Sequence, residues 1–263
     1  MRERTSPDFV EAIARGFDVI RSFDGAPVQS LAEVAQRTGL ARPTARRILI
    51  TLQQLGYVHA DGGRFELTPR VLELGVAYFA GSAFWEAAMP RLRELVEHTN
   101  ESSSIAQLDG SDVVYVARVG VPKLVTLSVA VGTRFPAAQT SLGKVLLAYA
   151  TPEQLDEILA TPSRSGIEPP WTPTRAELED VLATVRAQGW AVSDQQLAPA
   201  IRSIAAPIRS ESGAVFAAIN VNAHAAETSI ERLTTEHLPH LLRTAADLSV
   251  DYALRARVPA ASI

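Results

Sequence analysis

The first 67 residues alternate short amphipathic segments with turn-forming residues. Apolar residues that recur at helical spacing from Phe9 onward predict a helix over residues 7–23. The capping pattern S-x-x-E at Ser30 predicts a short second helix, which ends where Gly39 can adopt a left-handed conformation. A third helix is predicted over residues 42–55, with a proline in its first turn.

Two short alternating runs follow this third helix and flank the turn Asp61-Gly62-Gly63, a pattern typical of a β-hairpin. Helix, short helix, tight turn, helix and hairpin together form the plan of a winged helix-turn-helix. We therefore predict that residues 1–67 form a domain of this class.

The next segment, residues 68–86, is predicted to be a linker helix that begins at Thr68-Pro69. Its apolar content is high for an exposed helix: Val71, Leu72, Leu74, Tyr78, Phe79, Phe84 and Trp85. Apolar surface of this extent between two domains favours burial against another subunit, and packing on its own domain is the alternative. The segment is thus a predicted dimerisation helix.

The remaining residues, 87–263, combine strand-like and helix-like runs. The predicted strands cover residues 102–108, 112–119, 124–129, 190–194, 203–209 and 214–222. The predicted helices cover residues 89–99, 141–150, 152–160, 174–188 and a long C-terminal segment broken at Pro239. Strands clustered at both ends with helices between them predict an α+β domain around one largely antiparallel sheet.

Composition limits the classes of function. The chain has 263 residues and no cysteine, which excludes disulfides, thiolate catalysis and zinc–cysteine sites. The N-terminus has no apolar signal region, and no run of 18 apolar residues is present. These features predict a cytoplasmic protein that does not interact with a membrane.

Charge is unevenly distributed. The net charge is −4, yet residues 36–70 carry six arginines against Asp61 and Glu66, a local excess of four positive charges. The predicted third helix has no acidic residue between positions 41 and 55, whereas a surface helix usually mixes both signs. A basic segment on an acidic protein is typical of a local nucleic-acid contact.

The second helix of a helix-turn-helix enters the major groove of DNA with its N-terminal half. Arginine forks suit guanine edges and phosphates, and threonine can contact a thymine methyl group. We therefore predict double-stranded DNA as a partner, and a solvated basic face is the alternative. The predicted DNA-binding residues are Arg42, Thr44, Arg46, Arg47, Thr51 and, at the hairpin, Arg64.

The stretch Ser141-Leu-Gly-Lys144 has the S-x-x-K spacing of serine β-lactamases. Ser193-Asp194-Gln195 resembles their second motif, but no K-T-G follows and the only other lysine, Lys123, lies upstream. A phosphate-binding loop is also excluded, because no glycine precedes Gly143 by five residues. We predict that the chain is not an enzyme and has no catalytic residue or cofactor.

A metal site is not predicted either. His237 and His240 are three residues apart, but Pro239 lies between them and no carboxylate pair accompanies them. We expect a solvated helix end at this position.

Several segments, in order, make the chain resemble the IclR family of bacterial transcriptional regulators. The N-terminal part is SLAEVAQRTGLARPTARRILITLQQLGYV with TPRVLELGVAYF, and the C-terminal part includes GTRFPAAQTSLGKVLLA and AIRSIAAPIRSESGAVFAAINVNAHA. The last stretch is similar to the branch that controls protocatechuate, 4-hydroxybenzoate and β-ketoadipate catabolism. The resemblance implies a GAF-like effector domain, a homodimer or tetramer, a roughly palindromic operator and a small organic acid as effector.

The resemblance also implies an effector near the start of the helix at Ser141. Free N–H groups at a helix start attract a carboxylate, and the small Gly143 would let a ligand approach. Strand alternation places small and amide side chains on one face of the sheet, and Arg134 pairs either a ligand or a nearby acid. The predicted effector-binding residues are Arg134, Thr140, Ser141, Leu142, Gly143, Asp194, Gln195, Ser203, Ala205, Asn220 and Asn222.

The leading hypothesis is thus a DNA-binding regulator whose operator affinity is controlled by an acid bound in its C-terminal domain. The alternative is an effector-independent DNA-binding protein whose second domain, residues 87–263, serves assembly.

Overall fold

The computed structural model of the protein describes residues 8–80, 84–122 and 129–256. The described residues divide into two compact units, the first ending at residue 80 and the second beginning at residue 84. Phe84 is 1% exposed and packs edge-to-face against Phe216 and Tyr252 in the second unit. Phe84 therefore belongs to the core of that unit and not, as predicted, to the exposed apolar surface of the linker.

The N-terminal unit is the predicted winged helix-turn-helix. Its elements are α1 (Glu11–Arg21), β1 (Val28–Ser30), α2 (Leu31–Thr38), α3 (Arg42–Gln54), β2 (Val58–Asp61) and β3 (Arg64–Leu67). The three strands form an antiparallel sheet in the order β1-β3-β2. The sequence predicted the hairpin of β2 and β3 but not β1, because three residues are too few to show an alternating pattern.

Local sequence explains how α2 and α3 are set against each other. Ser30 and Glu33 form the predicted capping box, and Gly39 ends α2 with φ +67°. The turn brings buried residues of both helices together with those of α1 and β2. This core consists of Val19, Phe23, Val34, Ala35, Ala45, Leu49, Leu52 and Val58.

The linker segment begins with a 3₁₀ turn, Pro69–Val71, and continues as α4 (Leu72–Ala80). Several of its large apolar side chains remain exposed, Leu72 by 66% and Val76 by 61%. Leu74 and Tyr78 are also about half exposed. Exposure on successive turns leaves much of the apolar surface of α4 uncovered among the described residues.

The described residues of the C-terminal unit form one six-stranded sheet whose pairings are all antiparallel, where the sequence predicted a largely antiparallel sheet. Its strands are β4 (Ser102–Asp109), β5 (Asp112–Val119), β6 (Arg134–Pro136), β7 (Ala191–Asp194), β8 (Ile201–Arg209) and β9 (Val215–His224), in the order β6-β5-β4-β9-β8-β7. Its helices are α5 (Phe84–Thr99), α6 (Ser141–Ala148), α7 (Pro152–Ala160), α8 (Arg175–Gln188), α9 (Ile230–Arg232) and α10 (Leu238–Ala256).

Alternation along the strands separates two cores on the two faces of the sheet. One face carries the larger aliphatic side chains, such as Ile204 and Ile219, and packs on α5 and α10. The other face carries smaller residues, such as Ala205 and Ala218, and packs on α6 and α8. The small residues leave α6 close to the sheet, which positions its first turn over the strands.

The strand predicted over residues 124–129 lies outside the described residues except for Val129.

The C-terminal helix changes to a π-helical turn at Leu233–His237, which places Pro239 in the first turn of α10. His237 is 4% exposed, so the expected solvated helix end is wrong for this residue. Within the described ranges, no group of three or more potential metal ligands is found.

Lys144 fixes α6 to the sheet and is 2% exposed. Its ammonium donates to the carbonyl of Val192 at 2.8 Å and to the side chain of Gln196, and it lies 5.4 Å from the ring centre of Trp171. Burial lowers the pKa of Lys144 to about 8. No carboxylate among the described residues pairs with it, so its charge is held by dipoles and an aromatic face.

This burial predicts a pH-dependent stability. The folded pKa of Lys144 is about 8 against 10.5 for the free side chain, so the unfolded chain binds its proton more tightly. The free energy of unfolding is therefore expected to rise by roughly 2 kcal/mol between pH 8 and pH 10. Urea unfolding monitored by circular dichroism across this range measures the rise.

Lys144→Met and Lys144→Arg are the matched variants, because neither side chain loses a proton in this range. Both are expected to give a flat profile between pH 8 and pH 10. A rise that persists in both variants would show that another group produces it.

Candidate functional site

The exposed surface of α3 carries three arginines with free guanidinium groups. Arg42, Arg46 and Arg47 form no ion pair or side-chain hydrogen bond with any residue that the structure describes. Thr51 donates its hydroxyl to the carbonyl of Arg47, which satisfies the hydroxyl proton within the helix. The unpaired charge is therefore concentrated on the N-terminal half of α3.

The predicted DNA-contacting residues lie on two stripes of α3. Thr44, Arg47 and Thr51 line a cleft between α1 and α3 that also includes the apolar ring of Phe17. Arg46 lies one residue before Arg47 and is exposed on the adjacent stripe. Neighbouring stripes on one helix allow contacts to both sides of a groove.

Arg64, at the hairpin, has partners within its own unit. Its guanidinium contacts the carboxylate of Glu33 at 3.2 Å and donates to the carbonyl of Val28 at 3.1 Å. The same carboxylate accepts from the backbone of Ser30, which lowers the pKa of Glu33. An ion pair this exposed contributes little to stability, so a phosphate can compete for Arg64.

In the C-terminal unit, polar side chains are collected on the α6 face of the sheet. The strand register places Ser104 beside Asn220 and Ser203 beside both Asn222 and Ser193. Neighbours across antiparallel strands share a face, so these hydroxyls and amides form one continuous polar surface.

A small cavity lies on this surface. It is lined by Tyr115, Val129, Phe135, Thr140, Ser193, Leu197, Ile201, Ser203, Asn220 and Asn222. Its free volume is about 20 Å³, close to what a single water molecule requires. A larger ligand must displace lining side chains to enter.

Four of the eleven predicted effector residues line the cavity: Thr140, Ser203, Asn220 and Asn222. Asn220 accepts a hydrogen bond at Oδ1 from the backbone of Ser104 at 3.0 Å, and its Nδ2 donates to no described residue. Asn222 is half-buried and its amide has no described partner. Both amides thus keep hydrogen-bonding capacity next to the cavity.

Polar groups at the start of α6 are hydrogen-bonded within the protein, whereas the prediction assigned this helix start to a ligand. Thr140 caps the helix by accepting from the backbone of Gly143, and Ser141 shares a 2.7 Å hydrogen bond with Ser203. The space beside Gly143 is filled by the backbone of Ala137, so its lack of a side chain admits this contact and not a ligand. Leu142 and Ala205 are fully buried core residues and do not line the cavity.

Arg134, Asp194 and Gln195 also do not line the cavity. Arg134 contacts Asp109 at 2.6 Å and the buried Asp112 at 3.3 Å, so it pairs nearby acids, the second of the two predicted possibilities. Asp194 contacts Arg202 at 2.6 Å. Gln195, with φ +57°, accepts from the backbone of Ala200 and shapes the turn before β8.

The structure adds residues that the sequence did not indicate. Tyr115 and Phe135 meet edge-to-face with ring centres 5.4 Å apart and supply an aromatic wall. Burial raises the pKa of Tyr115 to about 12, so its hydroxyl is neutral and can donate a hydrogen bond. Ser193 donates to the carbonyl of Gln139. Only the contact between distant strands reveals these residues, because each looks like an ordinary strand residue in sequence.

Models of known protein families match both units of the chain. The model of the IclR helix-turn-helix domain matches residues 12–62, and that of the bacterial transcriptional regulator IclR C-terminal domain matches residues 76–250. None of the described helices combines the length and the apolar character that a membrane span requires.

Individual relatives agree with this assignment. The Pca regulon regulatory protein of Pseudomonas putida is 38% identical over 92% of this chain and 84% of its own. The p-hydroxybenzoate hydroxylase transcriptional activator of Acinetobacter baylyi is 31% identical over 94% of this chain and 93% of its own.

A solved structure, that of an IclR homolog complexed with 4-hydroxybenzoate from Microbacterium hydrocarbonoxydans, superimposes with a TM-score of 0.77. It is 25% identical and covers 92% of this chain and 98% of that one. The free arginines of α3 and the cavity over the sheet are therefore parts of a non-enzymatic, DNA-binding transcriptional regulator with an effector-binding C-terminal domain, and the chain belongs to the IclR family.

Proposed function

We propose that this regulator controls genes of aromatic-acid catabolism and that its effector is an aromatic acid or a product of ring cleavage. The observation that supports this proposal is the cavity on the sheet, where an aromatic wall faces free amide groups. Apolar walls with a few placed polar groups are typical of small-molecule sites. The 4-hydroxybenzoate bound to the Microbacterium homolog and the names of the two regulators support the same ligand class.

The size of the cavity suggests how binding changes the protein. A benzoate ring exceeds about 20 Å³, so entry requires side chains such as Leu197 to move. Ligand binding then favours one arrangement of the unit over another, which is the requirement for altering DNA affinity. Operator binding would take place in the bacterial cytoplasm.

We also propose that the protein acts as a homodimer, or a tetramer built from dimers, on a roughly two-fold symmetric operator. The exposed apolar side chains of α4 support subunit contact through this helix, because such surface is rarely left open to water. Two copies then present two α3 helices, each with Thr44, Arg46 and Arg47, to successive turns of DNA.

Arg46→Ala and Arg47→Ala are expected to weaken binding about tenfold each, since each removes a charge-assisted contact. The measurement is fluorescence anisotropy with a duplex that the protein selects from a random pool. Arg37→Ala, in α2, is the matched control, because its guanidinium donates to the carbonyl of Asp24 within the unit. If both α3 variants bind like the control, α3 does not contact DNA.

Leu72→Glu combined with Val76→Glu is expected to reduce the sedimenting mass to that of a smaller species. The two residues are exposed one helical turn apart on α4, and charge there would oppose apolar contact between subunits. Leu159→Glu, which replaces an exposed leucine of α7, is the control. An unchanged mass in the double variant would contradict subunit contact through α4.

A thermal-shift screen with 4-hydroxybenzoate, protocatechuate and β-ketoadipate tests the effector. A ligand at a hundred times its Kd stabilises the folded state by about 2.7 kcal/mol, which raises Tm by several degrees. Asn222→Ala is expected to reduce this shift while leaving Tm without ligand unchanged, because its amide has no described partner. No shift with any of the acids would favour an effector-independent regulator.

A further inference from the structure

Arg118 lies on the same face of the sheet as the cavity. In the strand register it sits beside Ser104, which in turn sits beside Asn220. Neighbouring strands are about 4.8 Å apart, so Arg118 is two strands away from a residue that lines the cavity. On β5 it lies three residues after Tyr115 of the cavity wall, beyond a register shift in the pairing of β4 and β5, and Arg118 itself does not line the cavity.

The guanidinium of Arg118 has no acidic partner among the described residues. Its Nη1 donates to the hydroxyl of Ser104 at 3.1 Å, and Ser104 is fully buried. Arg134 and Arg202, on other strands of the same sheet, each contact at least one carboxylate. A serine hydroxyl uses one of the five N–H donors of an arginine, so Arg118 keeps free donors at this face.

Burial of this unpaired charge costs free energy. Arg118 is partly buried, and desolvation lowers its pKa. A carboxylate that enters the site offsets this cost, because it supplies the opposite charge and accepts two parallel hydrogen bonds. The neighbouring amides and the hydroxyl of Tyr115 are neutral and cannot supply that charge.

We propose that Arg118 binds the carboxylate of the effector, while the ring lies between the aromatic wall and Asn220. This inference rests on the proposed function and specifies which residue selects acids over neutral analogues. It also replaces the predicted roles of Arg134 and of the start of α6, since Arg134 pairs two aspartates and Thr140 caps its own helix.

Isothermal titration calorimetry with 4-hydroxybenzoate and its neutral analogue 4-hydroxybenzamide tests the inference. The wild type is expected to prefer the acid at least tenfold, and Arg118→Met is expected to lose most of this preference. Amide binding should change little, because the amide carries no charge for Arg118 to pair. Equal weakening of both ligands would indicate a purely structural role and overturn the inference.

Two further variants complete the experiment. Arg118→Lys keeps a charge but not the two-donor fork, so its preference for the acid should lie between those of the wild type and Arg118→Met. If Arg118→Met does not fold, the acid preference of Arg118→Lys provides the test. Arg134→Met is the matched control and should keep the full preference, because Arg134 is paired with Asp109 and Asp112.

The outcomes separate the two claims. If the wild type binds neither the acid nor the amide and also none of the acids in the thermal-shift screen, the proposed function fails and this inference with it. If the wild type prefers the acid and Arg118→Met and Arg118→Lys keep that preference unchanged, only the inference fails. Loss of preference in Arg134→Met alone would assign the carboxylate to Arg134.

Discussion

The C-terminal unit depends on the close contact between the first turn of α6 and the sheet. Two interactions hold it: the hydroxyl pair of Ser141 and Ser203, and the buried ammonium of Lys144 on the carbonyl of Val192. The packing of Gly143 on the backbone of Ala137 fixes the same turn to the segment that follows β6. Each satisfies a polar group or fills a space that would otherwise be costly to bury. The cavity exists beside this contact because the helix is held there and cannot collapse further onto the strands.

Arginines in both units differ in whether a carboxylate neutralises them. Arg134 and Arg202 contact carboxylates and fix strands of the C-terminal sheet, whereas the exposed pair of Arg64 with Glu33 leaves Arg64 open to competition by a phosphate. The arginines of α3 and Arg118 have no acidic partner among the described residues, on a chain whose net charge is −4. Positive charge left free in an acidic protein is available to anions, and we propose that these are phosphates at α3 and a carboxylate at Arg118.

The sequence alone identified only some of the residues that line the candidate cavity. Alternation along β8 and β9 identified Ser203, Asn220 and Asn222, because a period of two residues assigns each side chain to a face. The prediction for Gly143 was wrong in its physical reason, since a glycine at a close approach looks the same whether a ligand or a backbone fills the space. Tyr115 lies on a strand far away in sequence, so only the pairing of strands could bring it to the cavity.

The sequence by itself determined the winged helix-turn-helix, the antiparallel α+β unit and the basic face of α3, because helix caps, turns and periodicity are local properties. Only the tertiary structure decided which charges are neutralised and which remain free. Arg118 and Arg134 are equivalent in sequence, since both are arginines on strands. Ion pairing depends on which side chains the fold brings within about 4 Å, and that distance is set by strand order and not by the neighbouring residues.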